Sequence, residues 1–203
     1  MSDPSETVPP ATAIARVRSQ EILAQGWATF KRVTYDFRRR DGSWWTIVRD
    51  IQDHGHAVAV LPVDRERGTV LLARQFRLAA FLGGHHGMLI EACAGIVDDG
   101  ETATEAVHRE AEEELGYRLH DLAVVHEVFT SPGSLTERMA LFTAGYTPAD
   151  RVAAGGGAER EGEDIEVVEM TLDEAAGKVA GGEIVDAKTI VLIQHLRPAL
   201  DAR

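Results

Sequence analysis

Apolar positions in this chain fall into short runs, and the runs change character along its length. Between Ile14 and Ile51, aromatic and β-branched residues alternate loosely with polar ones, as in "WATFKRVTYDF" and "RRRDGSWWTIV". A period near two predicts half-buried strands, and Asp41-Gly42 between strand-like flanks predicts a hairpin turn. Residues 13–52 are therefore expected to form a small antiparallel sheet. "HAVAVLPV" and "TVLLARQF" are nearly unbroken apolar runs joined by the polar "DRERG". Such runs predict central strands buried on both faces. "LAVVHEVF", "ERMALFTAGY" and "DIEVVEMT" predict three further strands, the first two joined by "TSPGSLT". Helices are expected over "GETATEAVHREAEEELGY", over "LDEAAGKVA" and over about "DAKTIVLIQHL". Residues 53–203 thus predict an α/β fold, a mixed sheet with helices on both faces. Two segments stand outside this pattern. Residues 1–12, rich in Pro, Ser and Thr, predict a disordered tail. The stretch from Pro148 to Gly162, "PADRVAAGGGAEREG", reads as too glycine-rich and polar to pack, and so long a loop is functional or disordered.

Composition narrows the function. The 203 residues suit one globular domain with an N-terminal extension, and 44% hydrophobic content suffices for a core. With 33 acids against 21 bases the net charge is −12. That argues against nucleic-acid or anionic-membrane partners, which need clustered Lys and Arg. An anionic substrate would then require local arginines or a metal cation. The lone Cys93, in "MLIEACAG", excludes an internal disulfide and reads as a buried thiol. The N-terminus has no signal-peptide pattern, and no apolar run approaches the ~20 residues that span a bilayer. A soluble, cytoplasmic protein is expected. His54 and His56 in "DHGH", and His85 and His86 in "GGHH", lack partner ligands at zinc-site spacing and read as plain loop residues.

The stretch from Gly100 to Tyr117 poses the sharpest question, because it holds six glutamates and one arginine. Thr102 and Glu105 make a capping box, and Gly116 is a natural terminator. At ~100° per residue, Ala103, Val107 and Ala111 form the apolar stripe. Glu110 and Glu114 then project beside that stripe, Glu113 lies at its edge, and Glu105 and Glu112 point to solvent. Arg109 can reach Glu105 or Glu113 at i±4, but cannot neutralise the cluster. Partly buried acids need a cation, and Mg²⁺ binds through one or two carboxylates together with substrate phosphates. A solvated acidic face is the alternative for any Glu-rich helix, and the surrounding sequence decides between them.

From Gly95 the chain reads "GIVDDGETATEAVHREAEEELGY". In this it resembles the Nudix hydrolase superfamily, matching every fixed position of the signature. The resemblance implies a Nudix-type α/β/α sandwich and metal-assisted attack of water on a nucleoside diphosphate linked to another group, with Mg²⁺ or Mn²⁺. It implies Glu110, Glu113 and Glu114 as metal ligands with the Ala94 carbonyl, and Glu101 and Arg109 as braces between loop and helix.

Further segments narrow the branch. "FTSPGSLTE" resembles the nucleotide-sugar enzymes that cleave ADP-ribose and GDP-mannose. "VTYDFRRRDG", "ARQFRLA", "IEACAG", "AGGGAEREGEDIEV" and "EIVDAKTIVL" resemble the GDP-mannose type. By that likeness the substrate is GDP-mannose, with ADP-ribose as the alternative. Trp27 would lie against the base, where its π-face suits a purine. Arg49, Asp50 and Arg77 would contact base or phosphate, and a guanidinium fork suits phosphate. Glu137 would be the catalytic base, with the loop acids Glu159, Glu161 and Glu163 as alternatives. Glu163 would reach metal or substrate, and Lys188 the sugar phosphate. The resemblance also implies a homodimer with exchanged N-terminal sheets, with Trp44 and Trp45 as interface candidates. Two other classes remain: a Nudix-fold sensor that binds without cleaving, and a hydrolase of oxidised nucleoside triphosphates, which fits poorly with the front sheet.

Overall fold

Asp41-Gly42 turns the chain as expected: Gly42 has φ 85°, and Asp41 Oδ1 accepts from Ser43 N at 3.0 Å and Ser43 Oγ at 2.6 Å. The short Asp side chain closes the turn and Gly takes the left-handed backbone. The computed structural model describes residues 14–158 and 162–201. The tail expected over residues 1–12, and Glu159 and Glu161, lie outside the described residues. The chain separates into two compact units, 14–54 with 130–137, and 55–129 with 138–201.

In the first unit β1 (Ala15–Gln25), β2 (Thr29–Arg38) and β3 (Trp44–Asp53) form an antiparallel sheet in sequence order. The register sets Val33 opposite Arg49 and Phe37 opposite Trp45. β1 is exposed at every residue and forms one edge. Trp44 and Trp45 are covered by guanidinium groups, Arg16 4.5 Å and Arg39 4.1 Å from the ring centres. The segment 130–137 belongs to this unit through Gln52, whose N–H donates to Ser134 O at 2.8 Å and whose carbonyl accepts from Thr136 N at 3.2 Å.

The second unit holds a mixed sheet of seven strands. β4 (Ala57–Asp64), β5 (Thr69–Phe76), β6 (Met88–Glu91), β7 (Cys93–Ile96), β8 (His120–Phe129), β9 (Arg138–Gly145) and β10 (Glu166–Thr171) follow in chain order. The spatial order is β10-β5-β4-β9-β8, with β6 on β5 and β7 on β4. β4 and β9 run parallel and the other pairs antiparallel. All eight residues of β4 are buried, as its unbroken apolar run requires. Its alternation divides the core. Ala57, Ala59, Leu61 and Val63 pack with Leu172, Ala175, Leu192 and Leu196 of α3 (Leu172–Gly181) and α4 (Ala187–Asp201). Val58 and Val60 pack with Ala106, Val107, Ala111 and Leu115 from the opposite face. Helices therefore cover both faces, and the α/β/α sandwich holds. The hydropathy pattern predicts neither α1 (Leu78–Leu82) nor β6 and β7, because at five residues or fewer an element shows no legible period.

The glycine-rich loop departs from expectation, because it packs. Gly156 N donates to Glu114 O at 2.9 Å, Gly157 N to Glu113 O at 3.0 Å, and Val152 N to Gly116 O at 2.8 Å. A Cβ on Gly155 would lie 2.6 Å from Glu114 O, and its φ is +74°. The missing side chains are what let two backbones approach. Gly155→Ala is expected to cost roughly 2–3 kcal/mol through the strained φ and the backbone clash, lowering the melting temperature by about 5–10 °C. An unchanged thermal unfolding curve would contradict this packing.

Candidate active site

The acidic segment begins with the expected capping box: Glu105 N donates to Thr102 Oγ1 at 3.3 Å, and Thr102 N to Glu105 Oε2 at 2.8 Å. α2 (Ala103–Glu110) then passes into one wider π-helical turn over Ala111–Leu115, closed by Gly116 at φ 77°. This departs from the single regular helix that the sequence predicts. π-turns of this kind are rare and occur often at functional sites. Here the wide turn contains three of the acids. Glu114 is buried, only 1% exposed, Glu113 is partly exposed and Glu112 faces solvent, where it meets Arg118 at 3.2 Å.

Arg109 organises the segment. Its Nε and Nη2 each donate to the Glu101 carboxylate at 3.0 Å, and Nη2 also reaches Ile96 O at 3.0 Å. Nη1 donates to Glu110 Oε1 at 2.7 Å and lies 3.5 Å from Glu113 Oε2. Of the two i±4 partners expected, Glu113 is met and Glu105 is not, because Glu105 is committed to the cap. Glu110 lies against Gly95, where a Cβ would come within 1.8 Å of Oε1. Gly95 is a cradle for that carboxylate.

Burial pushes the Glu114 carboxyl up to about 8, and the charges of Glu110 and Glu163 add to the effect. The Cys93 side chain and the Ala94 N–H, at 3.3 Å from Oε2, oppose it. Glu110 is raised as well, first by burial and further by Glu113 and Glu163, with Arg109 opposing. Glu163 is held in the loop by Ala158 N, which donates to Oε2 at 2.8 Å. A Cβ on Gly157 would meet Glu163 Oε2 at 2.5 Å, so glycine again leaves room for a carboxylate. Cys93 is fully buried, as expected, and burial raises its thiol well above the ordinary range.

The other expected contact residues are tied to partners. Arg77 donates twice to Glu91 Oε2, from Nη2 at 2.7 Å and Nε at 3.1 Å, and Lys188 Nζ lies 3.3 Å from the same oxygen and 3.0 Å from Asp186. Glu91 is 2% exposed, and it holds both cations from one buried carboxylate. Sequence reasoning assigns Glu91 no role; its signal is an acid inside the apolar run "MLIEACAG". Asp50 is bound in a fork by Arg32 at 2.8 and 2.9 Å. Arg49 is exposed and donates to Val48 O at 2.8 Å.

Trp27 sits in the β1–β2 turn, 75% exposed, and stacks on His54 with ring centres 4.9 Å apart. His54 Nε2 lies 3.6 Å from Glu137 Oε2, and Thr130 Oγ1 donates to Glu137 Oε1. His54 is therefore more than the plain loop residue expected. His85 and His86 do behave as loop residues, accepting backbone N–H groups at 3.2 Å. The first unit thus carries Trp27, Arg49, Asp50 and Glu137. The second carries Arg77, Ala94, Arg109, Glu110, Glu113, Glu114, Glu163 and Lys188.

Residues 53–192 match the family model described as NUDIX domain. The chain belongs to the Nudix family. Residues 15–51 match a second model, described as the GDP-mannose pyrophosphatase NudK N-terminal domain. The chain is 46% identical over 178 residues to a GDP-mannose pyrophosphatase of Cronobacter sakazakii, covering 87% of this chain and 92% of that one. It is 40% identical over 182 residues to a GDP-mannose pyrophosphatase of Klebsiella pneumoniae, covering 89% and 90%. A solved structure titled as an ADP compounds hydrolase shares the fold, with TM-score 0.72 at 18% identity over 94% of this chain and 96% of that one.

Nudix hydrolases generally use a divalent metal. Among the described residues no three His, Cys, Asp or Glu side chains converge as a formed metal centre. Arg109 engages Glu110 and Glu113, while Cys93 and Ala94 N–H engage Glu114. The donor set nevertheless fits a hard cation. Buried carboxylates that repel one another, with one arginine among them, lack the positive charge that burial demands. A divalent ion with oxygen ligands supplies it.

Proposed function

We propose that this Nudix hydrolase cleaves the pyrophosphate bond of a nucleoside diphosphate sugar, GDP-mannose, giving GMP and mannose 1-phosphate. The observation that carries the reaction class is the under-neutralised cluster of buried Glu114 with the half-buried Glu110 and Glu163. The substrate follows the relatives, named GDP-mannose pyrophosphatase at 46% and 40% identity, and the N-terminal match over residues 15–51.

The ion assigned is Mg²⁺, with Mn²⁺ able to replace it. Glu110, Glu113, Glu114 and Glu163, with the Ala94 carbonyl, would hold it. When bound, it neutralises phosphate oxygens and so lowers the barrier to attack on phosphorus. Arg109 holds Glu110 and Glu113 in place while bracing the loop through Glu101. Glu137 takes the proton of the attacking water as general base. Arg77 and Lys188 bind phosphate oxygens and the sugar phosphate, exchanging part of their hold on Glu91 for the substrate. Trp27 stacks on the guanine, and Arg49 and Asp50 contact base or phosphate. The exposed edge strand β1 and the tryptophans at positions 44 and 45 support a homodimer with exchanged N-terminal sheets. Among the described residues no helix is long and apolar enough to cross a membrane, and a cytoplasmic setting is part of the proposal.

Product analysis by chromatography and mass spectrometry tests this reading, with GDP-mannose, ADP-ribose and a nucleoside triphosphate offered in parallel with Mg²⁺. GMP and mannose 1-phosphate are expected. AMP and ribose 5-phosphate alone would retain the chemistry and overturn the substrate. Tight binding without cleavage would make the chain a sensor.

A further inference from the structure

His54 stands apart from the other histidines. Its side chain is 10% exposed, and its Nδ1 is the one buried side-chain nitrogen or oxygen without a hydrogen-bond partner among the described residues. One face of its ring meets Trp27 with the planes 24° apart. Its other ring nitrogen, Nε2, lies 3.6 Å from Glu137 Oε2. A buried N–H without an acceptor costs more than an unfilled lone pair. The ring proton therefore sits on Nε2, and a donor faces the Glu137 carboxylate. At 3.6 Å the contact is longer than a formed hydrogen bond. Catalytic hydrogen bonds are often long in ligand-free sites and tighten with substrate.

The rest of the Glu137 environment gives this donor its importance. Glu137 is 8% exposed, and its other oxygen accepts from Thr130 Oγ1. One oxygen is thus fixed by a hydroxyl, and the second faces the His54 ring nitrogen. The same imidazole backs the ring of Trp27, which is otherwise open to solvent.

We propose that His54 is a positioning residue that couples the base platform to the catalytic carboxylate. Its ring holds Trp27 flat for the nucleobase, while its Nε2–H aims Glu137. The inference rests on the proposed roles of Trp27 and Glu137. It adds that base recognition and proton abstraction share one side chain, so that ordering of Trp27 by the base also orders Glu137.

Three substitutions separate the two faces of His54, each measured with GDP-mannose for kcat and KM and checked for fold by circular dichroism. His54→Phe keeps a ring against Trp27 and removes the donor. It is expected to lower kcat about 10-fold, the order for one hydrogen bond to a charged group, with KM within about 2-fold because stacking survives. His54→Gln keeps an N–H donor and removes the ring. It should recover kcat to within about 3-fold of wild type and raise KM by about 3- to 10-fold, the size of an aromatic stacking contact. His54→Ala should show both effects. A merely packed histidine predicts instead that the Phe variant keeps full kcat and that Gln rescues nothing, and either result overturns the coupling. Glu137→Gln and Trp27→Ala run beside them. If Glu137→Gln leaves kcat unchanged, the proposed general base is wrong and the coupling falls with it. If Glu137→Gln is inactive and His54→Phe is not impaired, only the coupling fails.

Discussion

Replacing Glu114 by Gln is expected to lower kcat by about 10³-fold and, in the metal-free protein, to raise the melting temperature. Both effects have one cause. Glu114 is buried beside Glu110 and Glu163, so its charge is unfavourable unless a cation joins it. Removing that charge relieves the metal-free protein and would deprive the proposed ion of a ligand. Transition-state charge stabilisation by a metal is worth several kcal/mol, hence the size of the loss. The pH dependence follows the same sign. A carboxyl raised from its ordinary 4.5 to about 8 binds its proton more tightly folded than unfolded. Its stabilising contribution is complete below about pH 4.5 and is lost as pH rises through about 8, each tenfold difference in proton affinity being worth ~1.4 kcal/mol. Metal-free wild type should therefore lose stability across that window, and Glu114→Gln should lose less. Calorimetric melting at several pH values, in chelator, checks this. A Gln variant that melts lower than wild type at pH 8 would contradict the account.

Gly95→Ala is the second large effect expected, with kcat falling by about 10²-fold, the scale for displacing a catalytic group by about 1 Å. The added Cβ would fall 1.8 Å from Glu110 Oε1 and 2.0 Å from its Cδ. The backbone has little room to yield, because Gly95 pairs with Val58 in the β4–β7 ladder. The Glu110 carboxylate must leave its cradle, and Arg109 loses its 2.7 Å partner. Gly181→Ala is the control, since nothing lies within 4 Å of a Cβ there. Steady-state kinetics decide it: equal kcat for both variants would show that the cradle has no catalytic consequence.

Much of this arrangement is legible in the sequence. The doubly buried β4 and β5, the hairpin at Asp41-Gly42 and the capping box at Thr102 are written in local patterns that the tertiary structure keeps. The burial of Glu114 and the solvent exposure of Glu112 follow from helical geometry. The π-turn does not, because a period of 3.6 residues carries no mark of where a single turn widens. The loop from Pro148 defeats sequence reasoning for a related reason. Glycines at positions 155–157 signal flexibility or close backbone approach equally, and only the opposing carbonyls of Glu113 and Glu114 decide. Glu91 shows locally only as an acid inside an apolar run, and His54 only as a turn residue, because the side chains they meet are distant in sequence, Lys188 for one and Glu137 for the other.

The acids around Gly95, on this account, form a divalent-metal site and not a solvated acidic face. Titration of Mg²⁺ into metal-free protein by isothermal calorimetry, with wild type beside Glu114→Gln, tests that most directly. Saturable binding to wild type that is lost or weakened at least about tenfold in the variant is the predicted result, matching removal of a ligand worth ~1.4 kcal/mol or more. Equal binding by both proteins, or none by wild type, would contradict it.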